Sequence, residues 1–90
     1  MSQISAQHIL VEQMHEAEDL VKKLSEGVAF SELAQKFSKC PSGKSGGGLG
    51  EFGRGQMVKP FEEAAYALEV DQISGPVQTQ FGYHLIKRLS

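Results

Sequence analysis

Six of the ten glycines in this chain fall within the ten residues from Gly46 to Gly55. Glycine loses more conformational freedom on ordering than any other residue, at roughly 0.5–1 kcal/mol relative to alanine inside a helix or strand. No regular helix is expected to run through such a segment, so helices must be built on either side of it. What the segment permits is a series of bends around one short extended piece, Leu49 to Phe52. With 90 residues, 40% of them hydrophobic, the chain can supply one lean core, and a single domain over 1–90 is expected.

The flanks carry clear periodicity. Ser5 to Glu12 reads as a strand that places His8 on one face with Ala6 and Leu10. Met14, Ala17, Leu20, Val21 and Leu24 form the stripe of a helix over Met14 to Glu26, with Gly27 as its stop. Glu18 with Lys22 and Asp19 with Lys23 are favourable pairs along that helix. Phe30, Leu33, Ala34 and Phe37 repeat at helical spacing and predict a second helix, whose start at Ala29 lacks a side-chain cap. Ser38 to Gly48 is irregular. A third helix opens at Pro60 with Phe61, Ala64, Ala65 and Leu68 on its apolar stripe. Val77 to Thr79 and Tyr83 to Leu89 are strands joined tightly through Gln80-Phe81-Gly82. The order strand, helix, helix, strand, helix, strand, strand predicts an α+β domain with a small, mostly antiparallel sheet covered by helices.

Composition excludes several classes. One cysteine makes no internal disulfide, and the longest apolar run, Ala64 to Leu68, is too short to span a bilayer. No charged start followed by an apolar stretch marks a leader, so a cytoplasmic protein is expected. A net charge of −2 argues against a general nucleic-acid binder. Gly43-Lys44-Ser45 resembles the end of a phosphate-binding loop, but the earlier glycine that loop needs falls on Ser38. Gly48-Leu49-Gly50-Glu51-Phe52-Gly53 satisfies the dinucleotide spacing without the βαβ unit that gives it meaning. His8, His15, Cys40 and His84 match no zinc spacing, so no metal is expected. The segment 36–59 carries Lys36, Lys39, Lys44, Arg54 and Lys59 against the single acid Glu51. Its four lysines are either a solvated loop face or a patch for weak contact with phosphate groups, on anionic lipid or on nucleic acid.

Taken together, the residues resemble a parvulin-type peptidyl-prolyl cis/trans isomerase. The likeness runs from Ser5-Ala6-Gln7-His8-Ile9-Leu10 through Phe37-Ser38-Lys39-Cys40-Pro41-Ser42-Gly43 to Gly47-Gly48-Leu49-Gly50-Glu51-Phe52. It continues in Gly53-Arg54-Gly55-Gln56-Met57-Val58-Lys59-Pro60-Phe61, in Ile73 to Thr79, and in Phe81-Gly82-Tyr83-His84-Leu85-Ile86. The resemblance implies a parvulin, FKBP-like architecture of four strands and three or four helices. It also implies a catalytic group of His8, Cys40 and His84, and a proline pocket of Leu49, Met57 and Phe61. Gln56 matches a residue that bonds the substrate backbone, Thr79 one that supports the histidines, and Phe81 lies on the rim. Gly48 stands where the family places an acid. Val11-Glu12-Gln13-Met14 leaves no room for the basic loop of phosphate-directed members.

The chemistry of these residues agrees with that assignment. Rotation about a peptide bond faces a barrier of about 18–20 kcal/mol, and X–Pro exchange unaided takes ~10–100 s. No bond is broken, so a catalyst need only favour the twisted amide, and a dry cleft of Leu49, Met57 and Phe61 could do so. The expected function is non-covalent isomerisation of exposed Xaa-Pro bonds in peptides and unfolded chains, assisting folding, by a monomer with no cofactor. The alternative is a non-catalytic peptide-binding or chaperone module using the same cleft. For the histidines, a direct catalytic role and a purely architectural hydrogen bond are both compatible with the sequence. Because the cleft residues so assigned include no base, a hydrophobic or uncharged residue is expected before the proline.

Overall fold

The computed structural model describes residues 3–90; Met1 and Ser2, the first residues of the domain expected over 1–90, lie outside the described residues. Four strands, β1 (Ile4–Val11), β2 (Gly48–Phe52), β3 (Val77–Thr79) and β4 (Gly82–Arg88), form one sheet in the order β2-β1-β4-β3. Every neighbouring pair is antiparallel. Three helices, α1 (Met14–Ser25), α2 (Phe30–Phe37) and α3 (Lys59–Ala67), cover it, and a 3-10 turn spans Pro41–Ser45. The expected element order is observed throughout, within one or two residues at the ends.

The two central strands, β1 and β4, are buried on both faces because their apolar residues occur at both parities of the strand period. On one face Ile9, Val11 and Leu85 pack against Ala17 and Leu20 of α1 and Phe30, Leu33 and Ala34 of α2. On the other, Ile4, Ala6 and Ile86 pack against Phe61 and Ala65 of α3, with Phe52 and Leu68 closing the cluster. The α1 stripe is narrower than its apolar residues suggest, since Met14 and Val21 remain 42% and 37% exposed. At 3.6 residues per turn they fall to one side of the arc that Ala17, Leu20 and Leu24 share. Phe37, at the end of α2, is likewise 43% exposed.

Two features of this fold position the site. First, β2 pairs with β1 only as far as Gln7↔Gly48, so the following stretch of β1 lacks a strand partner on that side. The irregular segment takes its place: His8 N donates to Gly47 O at 2.9 Å, Lys39 N to Leu10 O at 2.7 Å, and Leu10 N to Ser38 Oγ at 3.1 Å. Second, Gly47 has φ +88°, and a Cβ there would collide with the His8 carbonyl oxygen. Glycine is required for the loop to lie this close to the strand. The 3-10 turn inside the stretch read as irregular starts at Pro41, whose fixed φ suits a first helical position.

Candidate active site

Register brings the two buried histidines together. In the β1–β4 pairing His8 lies opposite Ile86 and His84 opposite Leu10, which makes the imidazoles diagonal neighbours on the α3 face. Their Nδ1 atoms are 3.0 Å apart, and the rings stack at 5.2 Å with planes 18° apart. Phe61 meets both rings edge-on, at 5.5 Å from His8 and 5.2 Å from His84. His8 Nε2 lies 3.2 Å from Ser42 Oγ, which lies 3.3 Å from Cys40 Sγ. On the far side His84 Nε2 lies 2.7 Å from Thr79 Oγ1, itself the acceptor for Phe81 N at 3.1 Å.

These contacts restrict where protons sit. Only one Nδ1 can carry hydrogen if the histidines are to bond as neutral rings, so their tautomers are linked. With the proton on His84 Nδ1, the Thr79 hydroxyl donates to His84 Nε2, and His84 donates to His8. His8 Nε2–H then donates to Ser42, whose hydroxyl donates to Cys40 Sγ. One continuous chain of donors runs from Thr79 to the thiol sulfur. Both rings are held neutral at neutral pH. Burial, and secondarily the nearby His84, lower the His8 pKa to about 4, and burial lowers that of His84.

His8, His84 and Cys40 of this polar chain line an open cleft of about 480 Å³, within the size range of small-ligand sites. Leu49, Met57 and Phe61 line it, and Gln56, Cys40 and Phe81 join them. Phe81 stands 58% exposed on the rim. Gln56 Oε1 accepts Gly53 N at 2.6 Å, which leaves its amide N–H₂ as the group's donor. Thr79 acts through His84 and does not itself line the cleft. His15 is separate from the pair and lines another groove, with Glu16, Asp19 and Lys36.

Ser42, Leu10, Val58 and Pro41 were not singled out from the sequence as site residues. The signal for Ser42 was present, because a turn opening at Pro41 returns the second residue after Cys40 over its sulfur. The expectation that the cleft has no basic residue is corrected. Lys39 lines it, because the bond from its backbone to Leu10 folds the loop against β1. Lys36, Lys39, Lys44 and Lys59 are all exposed, but Lys36 pairs with Glu32 at 3.3 Å. Gly48, at the start of β2, is exposed with open space around it: a Cβ would meet only Ser45 O, at 3.7 Å.

A four-stranded antiparallel sheet with paired neutral histidines beneath an apolar cleft defines a prolyl-isomerase type of domain. The PPIC-type PPIase (rotamase) domain family matches residues 8–90, and the chain belongs to this parvulin family. Among its relatives, a foldase protein PrsA of Geobacillus sp. (strain WCH70) is 52% identical over 85 residues, covering 93% of this chain and 31% of that protein. The crystal structure of a peptidylprolyl isomerase (PrsA) from Bacillus anthracis superposes with a TM-score of 0.96 at 47% identity, covering 98% of this chain and 41% of that one. The solution structure of NmPin, the parvuline of Nitrosopumilus maritimus, gives 0.89 at 44% identity, covering 100% and 98%. The chain thus spans about a third of the length of the PrsA proteins it matches.

Proposed function

We propose that this chain catalyses non-covalent cis/trans isomerisation of exposed Xaa-Pro bonds in peptides and unfolded proteins, and so assists folding. One observation carries the reading: an apolar cleft with a neutral, fully hydrogen-bonded histidine pair at its floor. A planar amide is stabilised by resonance and by water. Seating the proline ring among Leu49, Met57 and Phe61 removes the water, and the planar forms lose more by this than the twisted one. Catalysis requires only that difference. Met57 has the flexibility to follow a ring as it turns, and Phe61 provides a fixed wall because α3 and both imidazoles hold it.

The neutral state of the histidines matters to this role. A charged imidazole at the floor would draw water into the cleft, whereas a linked neutral pair holds its dipoles fixed without a net charge. His8, Cys40 and His84 are accordingly the polar group beside the rotating bond, with Thr79 and Ser42 as positioning residues. The same reading takes the protein as a cytoplasmic monomer. Weak contact of Lys36, Lys39, Lys44 and Lys59 with anionic lipid is supported by their exposure. Salt-sensitive co-sedimentation with anionic vesicles tests it.

The functional test is the slow, proline-limited refolding of a denatured protein. Catalytic amounts of the chain should speed that phase, and Met57→Ala should cut the effect at least about tenfold, since pocket contacts are worth ~1–3 kcal/mol per methylene-sized change. Binding of the unfolded chain with no change in the slow phase would instead favour a peptide-binding module.

A further inference from the structure

We propose that Lys39 selects substrates bearing a carboxylate side chain next to the isomerised proline. This rests on the cleft being the peptide site and names a substrate class for it. Among the residues lining the cleft, Lys39 is the one with a formal charge at neutral pH, because the lining includes no acid and both histidines are held neutral. Its ammonium is also uncommitted. The ion pairs among the described residues are Lys36–Glu32 and Arg54–Glu62, and Lys39 takes part in neither.

Its position is fixed although its tip is exposed. Lys39 N donates to Leu10 O at 2.7 Å, and the next residue, Cys40, bonds Ser38 Oγ through its own N–H at 3.3 Å. The lysine therefore projects from a backbone fastened to β1 and lines the cleft together with Cys40. It also borders the neighbouring groove, which Glu16, Asp19 and Lys23 of α1 and Lys36 of α2 line as well. Neither of those acids comes within ion-pair distance of Lys39 among the described residues. A lone cation on one lip of an otherwise uncharged cleft favours a singly charged partner from the peptide that crosses it. A dianionic group would call for several donors.

The test is a set of short peptides with Glu, Ala or Lys directly before the proline, and a second set with the substitution directly after it. Affinity is read by chemical-shift titration and turnover by exchange spectroscopy, at low and high salt. In at least one set, Glu should exceed Ala about two- to fivefold in affinity, as expected of a solvent-exposed ion pair, with Lys below Ala. The spread should shrink in high salt. Lys39→Gln should abolish the Glu-to-Ala ratio and Lys39→Glu should invert it. Reading the ratio within each variant cancels any change in overall activity. Equal affinities in both sets, or a ratio that survives in Lys39→Gln, would overturn the assignment. Absence of exchange for every peptide would count against isomerisation instead, while the affinities would still decide the role of Lys39.

Discussion

A histidine buried among Phe61, His84 and Ser42 has two demands on it: its nitrogens must find partners, and its ring must stay uncharged. His8 meets both, with Nδ1 on His84, Nε2 on Ser42 and only 5% of its surface exposed. Truncating it leaves a cavity and deprives His84 and Ser42 of a partner together. His8→Ala should therefore lower stability by about 2 kcal/mol or more as well as activity. Denaturant unfolding alongside a peptide exchange assay checks this. Unchanged stability with abolished exchange would assign His8 to chemistry alone. Protonation makes a second demand. The folded protein holds His8 neutral down to about pH 4, while the unfolded chain takes up that proton near pH 6.5. Below pH 6.5 the unfolded state binds more protons, so stability is present above that value and is lost as pH falls toward 4, by up to about 3 kcal/mol. Unfolding free energies across this window should fall more steeply for the wild type than for His8→Gln, which lacks the titrating ring.

At the scale of elements, the cleft depends on two loops whose shapes are set by different means. The loop before β2 lies against β1 because Gly47 has no side chain. Gly47→Ala should cost at least about 1–2 kcal/mol from its left-handed backbone alone, with more from the clash with His8 O. A thermal melt reads this loss directly. The loop before α3, which carries Gln56 and Met57, is shaped by side chains. Glu62 accepts hydrogen bonds from Gly55 N and Arg54, and Arg54 stacks on the Tyr66 ring at 4.2 Å. Glu62→Ala should raise KM several-fold while kcat changes less, and Glu62→Gln should restore most of the loss, because its amide oxygen still accepts from Gly55. A loss in both variants that follows melting temperature would make Glu62 merely structural. This contrast also explains what the sequence made legible. Periodicity located α2 to the residue and α1, α3 and β1 nearly so, glycine and proline punctuation marked β2, β3 and β4, and the 3-10 turn fell in a stretch read as irregular. The resemblance brought His8, Cys40, Met57, Phe61 and His84 to one site. Ser42 was missed, and Lys39 was read only as part of a basic patch, because their places at the cleft come from how a loop folds back on β1, which no periodic pattern encodes. Met14 and Val21 fit the α1 stripe by spacing yet stay exposed because they lie to one side of the arc that Ala17, Leu20 and Leu24 share, and Phe37 stays exposed at the end of α2.

The molecule as a whole is two small cores sharing one sheet, and the cleft lies beside the core that α3 completes. Phe61 belongs to that core and to the cleft wall at once, so folding and site geometry are set by the same packing. The glycine-rich stretch, which barred a helix from the middle of the chain, supplies the bends that hold Leu49 at the cleft and lead to Met57 and Phe61. The most direct test of this account is two-dimensional exchange spectroscopy on an Ala-Pro peptide with catalytic amounts of the chain at neutral pH. Cis and trans signals that exchange far faster than the unaided scale of ~10–100 s, and lose that exchange in Met57→Ala, are the predicted result. Shifted peaks with the uncatalysed rate would contradict it.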